Sequence, residues 1–377
     1  MTDAQTTPHE RYLSTRYFAS LDGLRCLCIL AVLWHHSPRP ETGLRLEAMG
    51  FLGVGMFFVL SGYLITTLLL RERDNTGDIS LKDFYARRTI RIFPIYYLLL
   101  AALAVYYTFI ERGTATASGF FHDLPYFLTY TSNWVHVEAP NQEILWSLAT
   151  EEQFYILWPL IEKVLRPKWA LGVLFGIIGV SQLVNFGVTD TLTAQWFGEG
   201  FNRLSIMDAT FTPIALGVLL AHGLHHKATF DFFYRLLAAK WTPIALLAGF
   251  LTYLEFTPQD ISGLPRLIIH LAMTLLLASI VIREGHWLRR PLTLWPIKRI
   301  GVISYGMYLY HMWCFHFVRE GFRATGLTYN TIVWLFPVVG LLVTYIVAEA
   351  SFRLVETPLL RLKKRFATER KIKKDAD

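Results

Sequence analysis

The sequence predicts an all-α, polytopic integral membrane protein with about ten transmembrane helices and both termini in the cytoplasm. Three observations lead there. Of 377 residues, 53% are hydrophobic and only 17% charged, with a mean hydropathy of +0.37, a balance unlike that of a soluble chain of this size. The apolar residues fall in blocks long enough to cross a bilayer. Lys and Arg concentrate in alternate connecting segments, the mark of cytoplasmic loops. The net charge of +7 is therefore a topology signal and not a stripe for nucleic acid.

Residues 1–19 form a polar cytoplasmic lead without the features of a cleavable signal peptide. The first helix covers 20–38, starting at Asp22–Gly23–Leu24–Arg25 and ending in His35 and His36 before the Pro38–Pro40 break. Its strictly apolar part is short, so neighbours or a cavity must shield it. The second helix, 50–70, carries Gly50, Gly53, Gly55 and the Ser61–Gly62 pair, small residues that let helices approach closely. Segment 71–91 then brings Arg71, Arg73, Lys82, Arg87, Arg88 and Arg91 ahead of a third helix at 92–110. A long aromatic loop with few basic residues spans 111–143, and the fourth helix follows at 144–162.

The remaining helices are expected at 169–188, 206–222, 241–256, 263–282, 300–318 and 328–350. Arg39, Arg112, Arg203 and Arg266 are scattered over the opposite loops. The transmembrane domain is expected to run over 20–358, with no internal repeat of the inverted-transporter kind and with no second domain expected in the residues after it. A basic tail over 359–377 includes Arg361, Lys363, Lys364, Arg365, Arg370, Lys371, Lys373 and Lys374, and most simply meets anionic lipid headgroups. Cys26, Cys28 and Cys314 all lie in apolar segments and give neither a disulfide framework nor a metal-ligand spacing.

An ionisable group inside an apolar helix costs about 2.5 kcal/mol or more, so each one needs a reason. Arg25 and His36 are eleven positions apart, close to three turns, and so share one helix face at about 16 Å along the axis. Either Arg25 snorkels to the inner headgroups and His36 sits in the outer interface, or the two mark a functional track. In the fourth helix Glu151, Glu152 and Gln153 are consecutive; neighbours point about 100° apart, so at most one or two face one way. Run from outside to inside, this helix puts the acids at the depth of His36. The two accounts are burial in paired form or an acid–base pair, the carboxylate fixing the imidazole.

Arg88 and Arg91 share a face with Arg87 beside it. With Arg25 they make a basic rim, which either sets topology or clamps the phosphates of a cytosolic nucleotide-like donor. No P-loop or GxGxxG fingerprint accompanies them. Ser61 sits in VLSGY, which is not a nucleophile elbow. Ser304, Tyr308 and His311 share one side of the ninth helix, where they line a cavity or bond between helices. Glu349, Arg353 and Glu356 are spaced for intrahelical ion pairs.

In order along the chain stand LDGLR with His36, GVGMFFVLSGYLIT, FYARRTIRIFPIYY, LWSLATEEQFYILWP and ISYGMYLYH. These segments resemble membrane acyltransferase family 3, integral-membrane O-acyltransferases of glycans, nodulation factors and macrolides. The resemblance runs from about Leu21 to Pro358. It maps the family's Arg, ten residues, then His onto Arg25 and His36, its arginine pair onto Arg88 and Arg91, and its helix-four acid onto Glu151. One position departs: Gly55 stands where relatives commonly carry an Asp.

What the resemblance implies is an O-acetyltransferase with cytosolic acetyl-CoA, or another acyl-CoA, as donor substrate and a hydroxyl of a surface or exported glycan or glycosylated small molecule as acceptor. No tightly bound cofactor, metal or nucleic acid enters. On this expectation His36 is the general base, Glu151 orients it, and Arg25, Arg88 and Arg91 hold the donor phosphates. Asp22, Ser61, Glu152, Tyr308 and His311 are expected to line the cavity. The setting is the bacterial inner membrane, and a separate extracytoplasmic partner protein is conceivable. The competing class is a proton-coupled transporter or polysaccharide flippase using the same His and Glu residues as a relay.

Overall fold

The computed structural model describes residues 6–40, 43–189, 211–326 and 329–362. Among the described residues every regular element is a helix. The chain opens with α1 (Pro8–Ser14), closed by a Thr7–Glu10 capping box, and α2 (Ala19–His36). A 3-10 turn, Arg45–Phe51, leads into α3 (Leu52–Thr76), and α4 (Leu81–Phe109), α5 (Ala115–Leu128), α6 (Leu145–Val164) and α7 (Pro167–Asn185) follow. Next come α8 (Thr212–His225), α9 (Lys227–Leu237), α10 (Thr242–Phe256) and α11 (Leu264–Ile282). The short α12 (Arg289–Leu292) and α13 (Trp295–Val302) precede α14 (Ser304–Ala324) and α15 (Tyr329–Ser351). A π turn at Phe352–Glu356 then joins α16 (Thr357–Leu362).

Five stretches are long and apolar enough to cross a membrane: Arg45–Thr76, Leu81–Phe109, Pro167–Asn185, Leu264–Ile282 and Thr331–Arg361. The number rises to seven when two bent pairs, α1 with α2 at 69° and α9 with α10 at 74°, each count as one span. Ten spans are thus not reached by length and composition. The helices that fall short are α8, with 14 residues, α6 and α14. The last two carry polar residues on faces turned to other helices, where lipid does not set the composition: Glu152 and Tyr155 are buried in α6, Tyr308 and His311 in α14. Residues 206–210 of the expected sixth span and the basic tail beyond 362 lie outside the described residues.

Two boundaries differ from expectation in a way that matters for function. Ser80 caps α4 by accepting from the Asp83 amide at 3.3 Å, so the third span starts at Leu81 and Arg87, Arg88 and Arg91 lie on a continuous helix. The expected loop at 111–143 contains α5, whose buried Asp123 accepts from the backbone of Glu138 at 2.6 Å and Ala139 at 2.9 Å. Tyr96 and Tyr97 of α4 donate to the α5 carbonyls of Phe127 and Leu128, both at 2.9 Å. That segment is tied down by polar bonds that hydrophobic periodicity does not reveal.

α3 is the central helix, with 72% of its apolar window buried against 17% for α7. It meets α8 backbone to backbone. A Cβ on Gly62 would sit 2.0 Å from the Ile214 carbonyl oxygen, and one on Gly217 would sit 2.2 Å from that of Val59. Small residues at such a crossing let two helices approach without a side chain between them. Gly62→Ala is expected to lower the thermal midpoint in detergent by several degrees, since overpacking costs about 1–3 kcal/mol. Gly249→Ala, where a Cβ meets nothing within 4 Å, is the control, and equal midpoints for the two variants would refute the close crossing.

Candidate active site

Five helices surround one cavity of about 80 Å³, several times what a single water needs. α2 contributes Arg25, α3 Ser61, and α4 Arg88 and Arg91. From α6 come Ser147, Glu151 and Tyr155, and from α14 Ser304, Tyr305 and Tyr308. Val54, Phe57, Phe58, Ile92 and Leu148 supply the apolar wall. Residues spread over almost the whole chain therefore converge on one space, and most of the polar ones belong to the segments singled out in the sequence.

The arginines sort themselves by their partners. Arg71 is spent on α1, donating to the carbonyls of Thr15 at 2.5 Å and Tyr12 at 2.9 Å. Arg73 pairs with buried Glu162 at 3.0 Å, and Arg87 with Glu72 at 3.2 Å. Arg25, Arg88 and Arg91 have no ion pair among the described residues. Arg88 lies over the Tyr155 ring at 4.1 Å, a cation–π contact that orients the guanidinium without neutralising it. Three guanidiniums and the one carboxylate of Glu151 around one partly enclosed space leave an excess of positive charge. An anion with several oxygens relieves that excess.

Deeper in, the hydroxyl of Tyr155 donates to the Glu151 carboxylate and is hydrogen-bonded to Ser61. Since a carboxylate only accepts, the tyrosine proton points to Glu151 and the Ser61 hydroxyl donates to the tyrosine oxygen. Tyr308 closes the cavity on another side. Its hydroxyl lies 2.8 Å from Ser147 Oγ and 3.0 Å from the Ile144 carbonyl. One turn along α14 from Tyr308 is His311, fully buried, with Nδ1 2.6 Å from the Tyr308 carbonyl. Its Nε2 is 3.3 Å from His36 Nδ1, and His36 Nδ1 is also 3.0 Å from the Val32 carbonyl.

The structure therefore brings Arg25, Arg88, Arg91, Glu151, Ser61 and Tyr308 to one cavity, and sets His36 with His311 just beyond Tyr308. It does not join His36 to Glu151. The Glu151 carboxylate is held by Tyr155, and the side chain that meets the His36 ring nitrogen is His311. Three further expectations are corrected: Asp22, Glu152 and His311 do not line the cavity. Asp22 accepts from Tyr17, and its carbonyl packs on Gly301. Glu152 is buried on a different face of α6 from Glu151, because adjacent helical positions diverge by about 100°. The third member of that triplet, Gln153, holds the 130–134 segment through the Tyr130 carbonyl and Asn133, both at 2.8 Å.

Gly55 has a plain account. A Cβ there would meet Met273 of α11 at 3.5 Å, so an acid at this position would point at α11, and its loss leaves the cavity lining intact. Glu349 pairs with Arg353 at 2.6 Å, as the spacing predicts, and also with Arg299 of α13 at 2.7 Å. Sequence reasoning missed Tyr155, Ser147 and Tyr305. Tyr155 is four positions after Glu151, one turn away on the same face, and that spacing was the available signal.

A family model described as an acyltransferase domain matches residues 18–349. Peptidoglycan O-acetyltransferase OatA of Listeria monocytogenes is 28% identical over 92% of this chain and 56% of its own length. A Bacillus subtilis protein, YrhL, named as a candidate peptidoglycan O-acetyltransferase, is 28% identical over 91% of this chain and 55% of its own. SACOL0978 of Staphylococcus aureus, named as a candidate O-acetyltransferase, is 26% identical over 94% of this chain and 59% of its own. The chain spans a little over half the length of these curated relatives. No solved structure matches it.

Proposed function

The chain belongs to this acyltransferase family, and on that premise we propose that it is a membrane O-acetyltransferase, moving acetyl from cytosolic acetyl-CoA to a glycan hydroxyl outside the inner membrane. Peptidoglycan is the acceptor named for its relatives, and a peptidoglycan-class sugar hydroxyl is the acceptor proposed here. The observation that carries the proposal is the cavity in which Arg25, Arg88 and Arg91 face one space, none of them in an ion pair among the described residues and with the single carboxylate of Glu151 in the lining. Arginine forks fit phosphate oxygens bidentately, and an acyl-CoA brings phosphates to one end of a long flexible arm.

In the proposed topology, with ten crossings and both termini inside, the three arginines form the cytoplasmic mouth. The thioester then has to travel along α2 towards His36, eleven residues on, or about 16 Å at 1.5 Å per residue. There His36 removes the proton from the acceptor hydroxyl as its oxygen attacks the thioester carbonyl carbon. The new C–O bond forms, the C–S bond breaks, and the proton passes from His36 to the departing thiolate. Donor and acceptor meet from opposite sides of the bilayer, so alignment by the helices supplies much of the rate. Tyr155 holds Glu151 at the cavity wall, where the acid limits the excess positive charge once the donor has left.

Membranes containing the chain, given radiolabelled acetyl-CoA and peptidoglycan fragments, are expected to put label in the glycan fraction. Label retained in CoA, with the protein present in the membrane and other acyl donors also inert, would refute the reading and favour translocation.

A further inference from the structure

His36 and His311 come from different helices and are 275 positions apart in sequence, yet their ring centroids are 5.0 Å apart. The hydrogen-bond geometry leaves a single proton arrangement that satisfies both rings. His311 Nδ1 is 2.6 Å from the Tyr308 carbonyl, and a carbonyl only accepts, so this nitrogen carries a proton. His311 is fully buried, without an ion-paired carboxylate among the described residues. A second proton there would leave a buried charge uncompensated, so its Nε2 holds a lone pair. That lone pair faces His36 Nδ1 at 3.3 Å, which also lies 3.0 Å from the Val32 carbonyl. Both neighbours accept, so His36 Nδ1 carries the proton and shares it between them.

We propose that His311 is a positioning residue that holds His36 as its Nδ1–H tautomer and so presents His36 Nε2 as the basic nitrogen. It rests on the reading of His36 as general base. The role is the one a carboxylate fills beside many catalytic histidines, where the second partner sets tautomer and ring orientation. Here the carboxylate expected for it, Glu151, is engaged by Tyr155, and a neutral imidazole stands in its place. The chemistry differs in one respect. A neutral partner stabilises the imidazolium less than an anion does, so the protonated His36 gives its proton to the departing thiolate more readily. The proton moves from acceptor hydroxyl to His36 Nε2 to thiolate, while the Nδ1 proton stays between the two rings.

Two amide substitutions separate positioning from packing. In His311→Gln the amide oxygen falls near the place of Nε2 and can accept from His36; in His311→Asn the shorter side chain reaches only the place of Nδ1. His311→Asn is expected to lower kcat by about 10–100-fold, the usual cost of losing an outer hydrogen-bond partner, with KM for acetyl-CoA unchanged. His311→Gln is expected to stay within a few fold of the parent.

Nitrogen-15 spectra of histidine-labelled protein in micelles, with His36 assigned by its loss in His36→Ala, should show only the Nδ1–H tautomer in the parent and in His311→Gln. A mixture is expected in His311→Asn. A parent His36 in the Nε2–H tautomer, or equal losses for both variants with an unchanged tautomer, would overturn the proposal. A parent protein without any acetyl transfer would instead overturn the acyltransferase reading, and the tautomer spectrum would still decide this one.

Discussion

His36→Ala is expected to reduce acetyl transfer by 10²- to 10⁴-fold, the range that a positioned general base contributes, while protein level in the membrane stays that of the parent. The structural cost of the substitution is small for an identifiable reason. His36 is the last residue of α2 and only half-buried, and its ring contacts are the Val32 carbonyl and the rings of His35 and His311. Alanine at a helix end keeps the backbone bonds and exposes no unpaired partner except the His311 lone pair. The loss should therefore appear in kcat, with KM for acetyl-CoA close to that of the parent because the arginine cavity is untouched. His36→Gln should be equally inactive, since an amide has no basic nitrogen. Transfer at the parent rate in either variant would remove His36 from the chemistry.

Arg88→Ala and Arg91→Ala are each expected to raise KM for acetyl-CoA by about 10- to 100-fold, with the double substitution larger still. A hydrogen bond to a charged group is worth about 1.5–3 kcal/mol when one partner is removed, and each factor of ten corresponds to about 1.4 kcal/mol. Arg87→Ala provides the internal comparison. It lies beside Arg88 in sequence, but Glu72 neutralises it at 3.2 Å, so its loss should change KM by no more than a few fold. Acetyl-pantetheine, which carries no phosphate, should be used equally poorly by the parent and by the Arg88 and Arg91 variants. Raised ionic strength should weaken acetyl-CoA binding in the parent and do less in the variants. Equal KM values for the Arg87, Arg88 and Arg91 variants would mean that the basic cluster sets topology and does not hold the donor.

Much of the architecture is legible in the linear chain because apolar block length and helical period are local properties. The positions of α2, α7, α10 and α11 follow from them to within a few residues, and α3 runs six residues past its expected end. The same period places Arg25 and His36 on one side of α2, and both face α14 in the structure, through the cavity for Arg25 and through His311 for His36. The number of spans was harder to read. α6 buries Glu152 and Tyr155 and α14 buries Tyr308 and His311 against other helices, and residues of these types lower the hydropathy of both. The expected loop around α5 was unreadable for a related reason: Asp123 and the tyrosines of α4 hold it through long-range polar bonds.

The sequence by itself determined the all-helical membrane class, the order of the motifs, and the residues from which a site had to be chosen. Only the tertiary structure decided which of them sit together. Glu151 and Glu152 are adjacent, and one faces the cavity while the other is buried elsewhere. Arg87 and Arg88 are adjacent, and one pairs with Glu72 while the other lies over the Tyr155 ring with no ion pair among the described residues. His36 was expected to meet an acid on α6 and instead meets a histidine on α14. The physical reason is common to all three. Helical spacing states which residues share a face, whereas a partner depends on which helix packs against that face, and in this chain the partners come from segments up to 275 residues away.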